Sequence, residues 1–574
     1  MNHRPERLRV LLAAGALLLA AQIGAAAAPA QGASDPRAVR VDALFADLNR
    51  TPSPGLAVAV VRDGKVILRR GYGLASIEHR APVTPSTVFD VASLSKQFTG
   101  FAVALLVSEG KIRLGDDIRK YIPELPDLGR PITVEHLLRH TSGLRDWHSA
   151  LSVAGWRPDD PITFGNILTL AYNQRTLNFT PGDEHLYSNT GYNLLAEMVQ
   201  RVTGRPFRAW SEEHIFRPLG MVNTRVRDDY NEVIPNRAFG YARGPGGTYR
   251  RTPNNLTGLG SSSVFSTVDD FARWLINFEE SAVGGRAALS LMRTPGTLND
   301  GTVVAYGFGI TSGTNRYNGL PFFTSSGAWA SFNSYDAYFP EQKFGVVVLA
   351  NTGAGVVDAQ NAVIRITDIY LEKEFNARAP SSAEAAQPPA RNAEVTPAAL
   401  DEYTGLYRLG PDSHVRVERY DTMLLLQMAR RGHALLSPRS EKEFWVEGEE
   451  GGAAVLFQRD PGGKVTSLTY GGRPAPRVAA SEARAPADLA EYAGDYDSEE
   501  LGTSYRVAVK DGALQMQHRR RGVTTLKWFW RDEFRGLDAY LSSVEFQRDG
   551  VGRVNSLIVN GSARSRDIRF AKRR

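Results

Sequence analysis

The sequence predicts an α+β protein. An antiparallel sheet is flanked by helices, a helical subdomain is inserted between its strands, and two small antiparallel β-barrels follow. Three observations carry this reading. Strand-like runs stand at 55–70 and again at 302–350, while residues 111–220 read as mostly helical, so one sheet takes strands from both ends of the region. A stretch rich in Ala, Pro and Ser, 377–397, then reads as an exposed linker. Beyond it the chain repeats itself at a constant offset of 89 residues, the mark of a duplication.

In chain order, residues 1–30 read as a signal peptide: Arg4, Arg7 and Arg9 precede an apolar run from Val10 to Ile23, with A-x-A cleavage sites between Ala25 and Ala30. The first domain is expected over 31–376. Asp35 to Asn49 has the periodicity of an amphipathic helix through Val39, Val41, Leu44, Phe45 and Leu48. Residues 55–61 and 65–70 alternate as strands around Asp63-Gly64, a hairpin signal. From Gln97 to Ser108 there is no charge, and Phe98, Phe101, Ala102, Leu105 and Leu106 recur at helical spacing, with Gly110 placed to end the helix. Ile132 to Leu138 starts a helix that ends at His140-Thr141-Ser142-Gly143, and the helix after Tyr187-Ser188-Asn189 stops at Gly204 with Pro206 beyond. Thr267 is placed to cap another helix. Phe344 to Ala350 is continuously apolar, as a central strand is, and Ala362 to Phe375 closes the domain as a helix. The two repeats, 398–480 and 481–574, share Glu402-Tyr403 with Glu491-Tyr492, Phe457-Gln458-Arg459-Asp460 with Phe546-Gln547-Arg548-Asp549, and Ser467-Leu468 with Ser556-Leu557. Neither repeat holds a set of residues suited to catalysis.

Composition narrows the class. With 42% apolar and 23% charged residues the chain has ample material for packed cores. The absence of cysteine excludes disulfides, thiol catalysis, Cys-based metal sites and a lipid-anchored form. No run after the signal is apolar enough to span a bilayer, so the expected product is periplasmic or secreted. Without residues 1–30 the net charge falls from +6 to +4, and the basic tracts at 518–521 and 572–574 have no interleaved stacking aromatics, which argues against nucleic acid as a partner. The histidines show no paired ligand spacing, so neither a metal nor another cofactor is implied.

Ser93 and Lys96 stand three apart in the first turn of the uncharged helix and so share a face. A serine hydroxyl needs a neighbouring base to become a nucleophile, and a lysine whose pKa is pulled down by burial serves as one. A second Ser-x-x-Lys, Ser108 to Lys111, is interrupted by Gly110 and reads as a helix end with a solvated lysine. Tyr187-Ser188-Asn189 offers a second proton-handling group, a tyrosine with its pKa lowered by the lysine, and an amide for Lys96 or for substrate. By itself the tripeptide reads more simply as a satisfied buried tyrosine followed by an N-cap asparagine, since such caps are common. His185, two residues earlier, reads as a solvent-exposed loop histidine.

The stretch from Phe89 to Lys96 resembles the nucleophile motif of the serine β-lactamase and penicillin-binding-protein superfamily, in the branch with class C β-lactamases, DD-peptidases, D-aminopeptidases and related esterases. Leu137 to Leu144 resembles that branch's LL-x-HTSGL loop, Tyr187-Ser188-Asn189 its second catalytic motif, Pro218 to Met221 its PLGM turn, and Ser266 to Asp270 its ST-x-x-D helix start. The resemblance covers about 38–375, and the duplicated tail is similar to the two barrels of D-aminopeptidases, where a barrel loop can narrow the active-site entrance. It implies that Ser93, Lys96 and Tyr187 are catalytic, and that the backbone N–H groups of Ser93 and Ala328 hold the oxyanion. It also places Asn189 and the segment Ser325-Ser326-Gly327-Ala328 on substrate. The chain departs from the pattern at Ser325, where the family has Lys or His. That removes a cation for a substrate carboxylate, and a neutral pocket suits an ester or an amide without a nearby carboxylate. The implied function is an exported serine hydrolase with an acyl-Ser93 intermediate, acting on a D-amino-acid peptide or amide or on an ester. The alternative, kept open by Ser325, is a penicillin-binding-like sensor or scaffold with little or no turnover. Small molecules or peptides are the expected partners; nothing in the sequence sets the oligomeric state.

Overall fold

The computed structural model describes residues 35–375 except 313–315 and 354, and residues 396–573 except 411–412, 429–432, 447–453, 480–481, 483–484 and 537. The expected signal peptide and most of the expected linker lie outside the described residues. The chain divides into a unit ending at Phe45 and a second from Ala46 onward. In the first, the helix Pro36–Leu44 is capped by Asp35, whose side chain accepts the Arg37 N–H at 2.9 Å. The single helix expected over 35–49 therefore stops early, and Ala46–Asn49 is a separate 3-10 turn.

In the second unit, five antiparallel strands form the central sheet, in the order Phe323–Trp329, Phe332–Phe339, Phe344–Ala350, Leu56–Arg62, Lys65–Tyr72. Strands from both ends of the region thus meet, with Val58 opposite Val348. Asp63 and Gly64 take positive φ, 49° and 68°, as a tight hairpin turn requires. Every residue of Phe344–Ala350 is buried. Val347 and Leu349 join a core with Phe271 and Trp274 of the helix Val268–Glu280, so the residues between them face the other side of the pleat. The helix Ala359–Tyr370 also packs on the sheet.

The uncharged segment forms a helix over Ser95–Ser108 that is buried almost all round. Phe98 packs on Phe216 and Trp274 with ring centroids at 5.2 and 5.0 Å, an aromatic cluster that fixes the helix beneath the sheet. Its first turn is a 3-10 turn, Ala92–Leu94, and Gly110 follows the C-cap Glu109 in the left-handed conformation. Lys111 is exposed and paired with Glu109, as the solvated reading required.

Two eight-stranded antiparallel units follow. The first runs from Gly405–Gly410 to Arg473–Pro476, and a Tyr407–Arg477 bridge joins its edges. The second, from Gly494–Ser498 to Ile568–Lys572, is a closed barrel in which Tyr496 pairs with Lys572. The 89-residue repeat is visible in their bonding. Tyr407 OH donates to Tyr403 O and Tyr496 OH to Tyr492 O, both at 2.7 Å, while Arg459 reaches Glu402 and Arg548 reaches Glu491.

Candidate active site

Ser93 lies on a turn that the surrounding elements force into shape. Ala92, before it, has φ +49°, a left-handed conformation that costs a non-glycine residue about 1–3 kcal/mol. The turn is held from three sides. Asp90 Oδ1 accepts the Ala92 N–H at 2.8 Å, Ser95 Oγ donates to Ala92 O at 2.6 Å, and Ser334 Oγ, from the sheet, donates to Val91 O at 2.8 Å. The result is a half-exposed serine at the start of a buried helix.

Lys96 is 1% exposed. Its Nζ donates to Asn189 Oδ1 at 2.8 Å and to Ser261 O at 2.7 Å, and lies 3.2 Å from Ser93 Oγ. Burial pushes the Lys96 amine well below its ordinary value, Asp146 pulls it back up, and Arg564 adds to the lowering. Two acceptors take the two hydrogens of a neutral amine, which leaves its lone pair for the Ser93 hydroxyl.

Tyr187 OH donates to Ser93 Oγ at 2.9 Å. Here the structure corrects an expectation: burial raises the phenol above its ordinary value, overriding the opposing bond to Ser93, so Tyr187 stands as a neutral phenol and not as an acidified one. Its ring packs on His140 at 4.4 Å. His140 Nδ1 accepts the Ser188 N–H at 3.1 Å, and burial holds its imidazole neutral.

Asn189 is the first residue of the helix Asn189–Thr203, not its cap; Ser188 occupies that position. Its side chain is oriented by Asp146, whose Oδ2 accepts Asn189 Nδ2 at 2.7 Å and Asn189 N–H at 2.8 Å, so that Oδ1 faces Lys96. Asp146 also caps the helix Trp147–Val153. His185 is exposed, its ring 6.1 Å from that of His140.

The strand Phe323–Trp329 forms the edge of the sheet beside Ser93. A Cβ on Gly327 would lie 2.4 Å from Val91 O and 2.9 Å from Ser93 N, so only glycine permits this approach. On its outer side the strand pairs Thr324 with Thr311 through two backbone bonds of 3.0 and 2.8 Å. Backbone groups of alternate residues face the same way, so the N–H groups of Ser326 and Ala328 point to the open edge. Ser325 does not face it with its hydroxyl: Oγ donates to Gly309 O at 3.1 Å, and its N–H donates to Asp336 Oδ1 at 2.9 Å. Asp336 also accepts from Gln97 at 3.0 Å, and burial raises its carboxyl to about 7.

The expected residues Ser93, Lys96, Tyr187 and Asn189 thus converge, with the Ser325–Ala328 strand alongside. Sequence reasoning missed Asp146, the Ser261 carbonyl, Tyr306 and Arg564. Tyr306 packs on His140 at 4.7 Å from a Tyr-Gly-Phe-Gly segment, and Gly309 in that segment lies against Lys96 O. Its alternating glycines were the signal available. Asp146 is marked only as a polar residue ahead of a helix, and Arg564 is distant in sequence.

An α+β domain of this topology, with a serine, a buried lysine and a tyrosine in mutual contact, defines the β-lactamase and penicillin-binding-protein class. Residues 41–370 match the Beta-lactamase family, and the chain belongs to it. It is 29% identical over 330 residues to a D-aminopeptidase of Gluconobacter oxydans (strain 621H), a match spanning 57% of this chain and 62% of that protein. The fold is similar to that of an octameric penicillin-binding protein homologue from Pyrococcus abyssi (TM-score 0.54, 22% identity, 76% of this chain and 99% of that one). It is also similar to a D-amino acid amidase from Ochrobactrum anthropi SV3 (TM-score 0.50, 22% identity, 59% of this chain and 100% of that one).

Proposed function

We propose that this protein is an exported serine hydrolase that works through an acyl-Ser93 intermediate on D-amino-acid peptides or amides or on esters. The observation that carries the reading is the placement of Ser93 Oγ between the Tyr187 phenol at 2.9 Å and the Lys96 amine at 3.2 Å. Neutral Lys96 takes the Ser93 proton as Oγ attacks the carbonyl. The oxyanion is held by the N–H groups of Ser93 and Ala328, each worth ~3–4 kcal/mol in other hydrolases. Tyr187 gives its proton to the leaving group, and the resulting phenolate takes one back from the Lys96 ammonium. Water then releases the acyl group, with Lys96 and Tyr187 again managing the proton. The likeness to a D-aminopeptidase supports a D-aminoacyl substrate.

The test is a panel of p-nitrophenyl esters, D-alanyl p-nitroanilide and nitrocefin, assayed with the wild type and Ser93→Ala. Turnover of an ester or of the D-alanyl anilide that disappears in Ser93→Ala is the expected result. Labelling of Ser93 without turnover of any of them favours a sensor or scaffold, the reading that the uncharged edge strand at Ser325 supports.

A further inference from the structure

The loop between the last two strands of the second barrel, residues 561–567, reaches the Ser93 cluster. Arg564 O accepts from the Asp146 N–H and from Asn178 Nδ2, both at 3.0 Å, and Ser565 Oγ donates to Asp146 O at 3.3 Å. Asp146 is the residue that orients Asn189, so the backbone of Arg564 is tied to the candidate machinery. Its side chain is not tied. The Arg564 guanidinium carbon sits 4.9 Å from the centre of the Tyr187 ring and makes no hydrogen bond or ion pair among the described residues. The neighbouring arginines are committed: Arg566 to Glu184 at 3.0 Å and Arg145 to Glu500 at 2.6 Å. Arg564 itself is exposed. A guanidinium offers a planar fork of donors matched to a carboxylate, and one held unpaired at a reactive centre is available to a ligand.

We infer that Arg564 is a specificity-determining residue that binds an anionic group, a carboxylate by preference, on the leaving-group side of the substrate. This rests on the acyl-transfer reading above. Tyr187 is the group that protonates the leaving atom, so a cation over its ring stands beside the leaving group and not beside the acyl chain. The edge strand supplies no competing charge, because Ser325 is neutral and its hydroxyl is engaged by Gly309 O. The pocket is therefore not neutral: its cation comes from the second barrel.

The experiment compares two thioesters with the same N-acylglycyl group. One leaves as thioglycolate, which carries a carboxylate, and the other as its carboxamide analogue. The full-length wild type is expected to prefer the carboxylate substrate, and the ratio of kcat/KM values to fall about 10-fold or more in Arg564→Gln. Arg564→Lys should restore part of the preference, and Arg564→Glu should lower the ratio further. High salt should shrink it in the wild type and in Arg564→Lys but not in Arg564→Gln. A fluorophosphonate carrying no charge on its leaving side is run in parallel as a label for Ser93. If the label modifies Ser93 but the ratio is the same in wild type and Arg564→Gln, or the wild type shows no preference or turns over neither thioester, the role of Arg564 is overturned. If the label fails to modify Ser93 at all, the underlying acyl-transfer reading fails instead.

Discussion

At the scale of single residues, the chemistry depends on the protonation of two buried groups. Burial holds the Lys96 amine well below its ordinary value against the pull of Asp146, and burial raises the Tyr187 phenol against its bond to Ser93. The sign follows directly. In the proposed mechanism Lys96 acts deprotonated, so kcat/KM should rise with pH as the amine loses its proton, with a midpoint well below the ordinary lysine value. Asp146 raises that pKa, so Asp146→Asn should move the rising limb to lower pH. A limb centred at the ordinary lysine value, or one unmoved by Asp146→Asn, would argue against Lys96 as the base.

At the scale of elements, the decisive contact is between the Ser93 turn and the edge strand Phe323–Trp329. Gly327 permits it, since a Cβ there would meet Val91 O and Ser93 N. Gly327→Ala should push the strand from the turn and lower the acylation rate by ~100-fold, the cost of a displacement near 1 Å at a reacting centre. Stopped-flow acylation beside a melting curve separates this from unfolding. The sheet, the uncharged helix and the duplicated tail were legible because each has a strong periodic signal, as Phe344 to Ala350 and the 89-residue repeat show. The Ser-Lys-Tyr set was legible from ordered motifs. Asp146 and Arg564 were not, because each meets the site through a three-dimensional contact with residues far away in the chain. The direction of the Tyr187 shift was also out of reach, since it depends on burial by His140 and its neighbours.

At the scale of the whole molecule, the second barrel is joined to the candidate site by a buried ion pair. Arg145 donates to Glu500 at 2.6 Å, with side chains 2% and 8% exposed, and also to the carbonyls of Arg566 and Asp567. Removing one partner leaves an uncompensated buried charge, so Glu500→Ala should cost about 3–5 kcal/mol. It should also raise hydrogen exchange in residues 561–567; unchanged stability would mean that the pair contributes nothing to docking the loop. The account as a whole stands on Ser93 as the nucleophile. Its most direct test is intact-mass and peptide-mapping analysis of the full-length protein after reaction with a fluorophosphonate. The account predicts one adduct, on Ser93, absent in Ser93→Ala and slowed by at least ~100-fold in Lys96→Met. An adduct that persists in Ser93→Ala, or that maps to another residue, would contradict it.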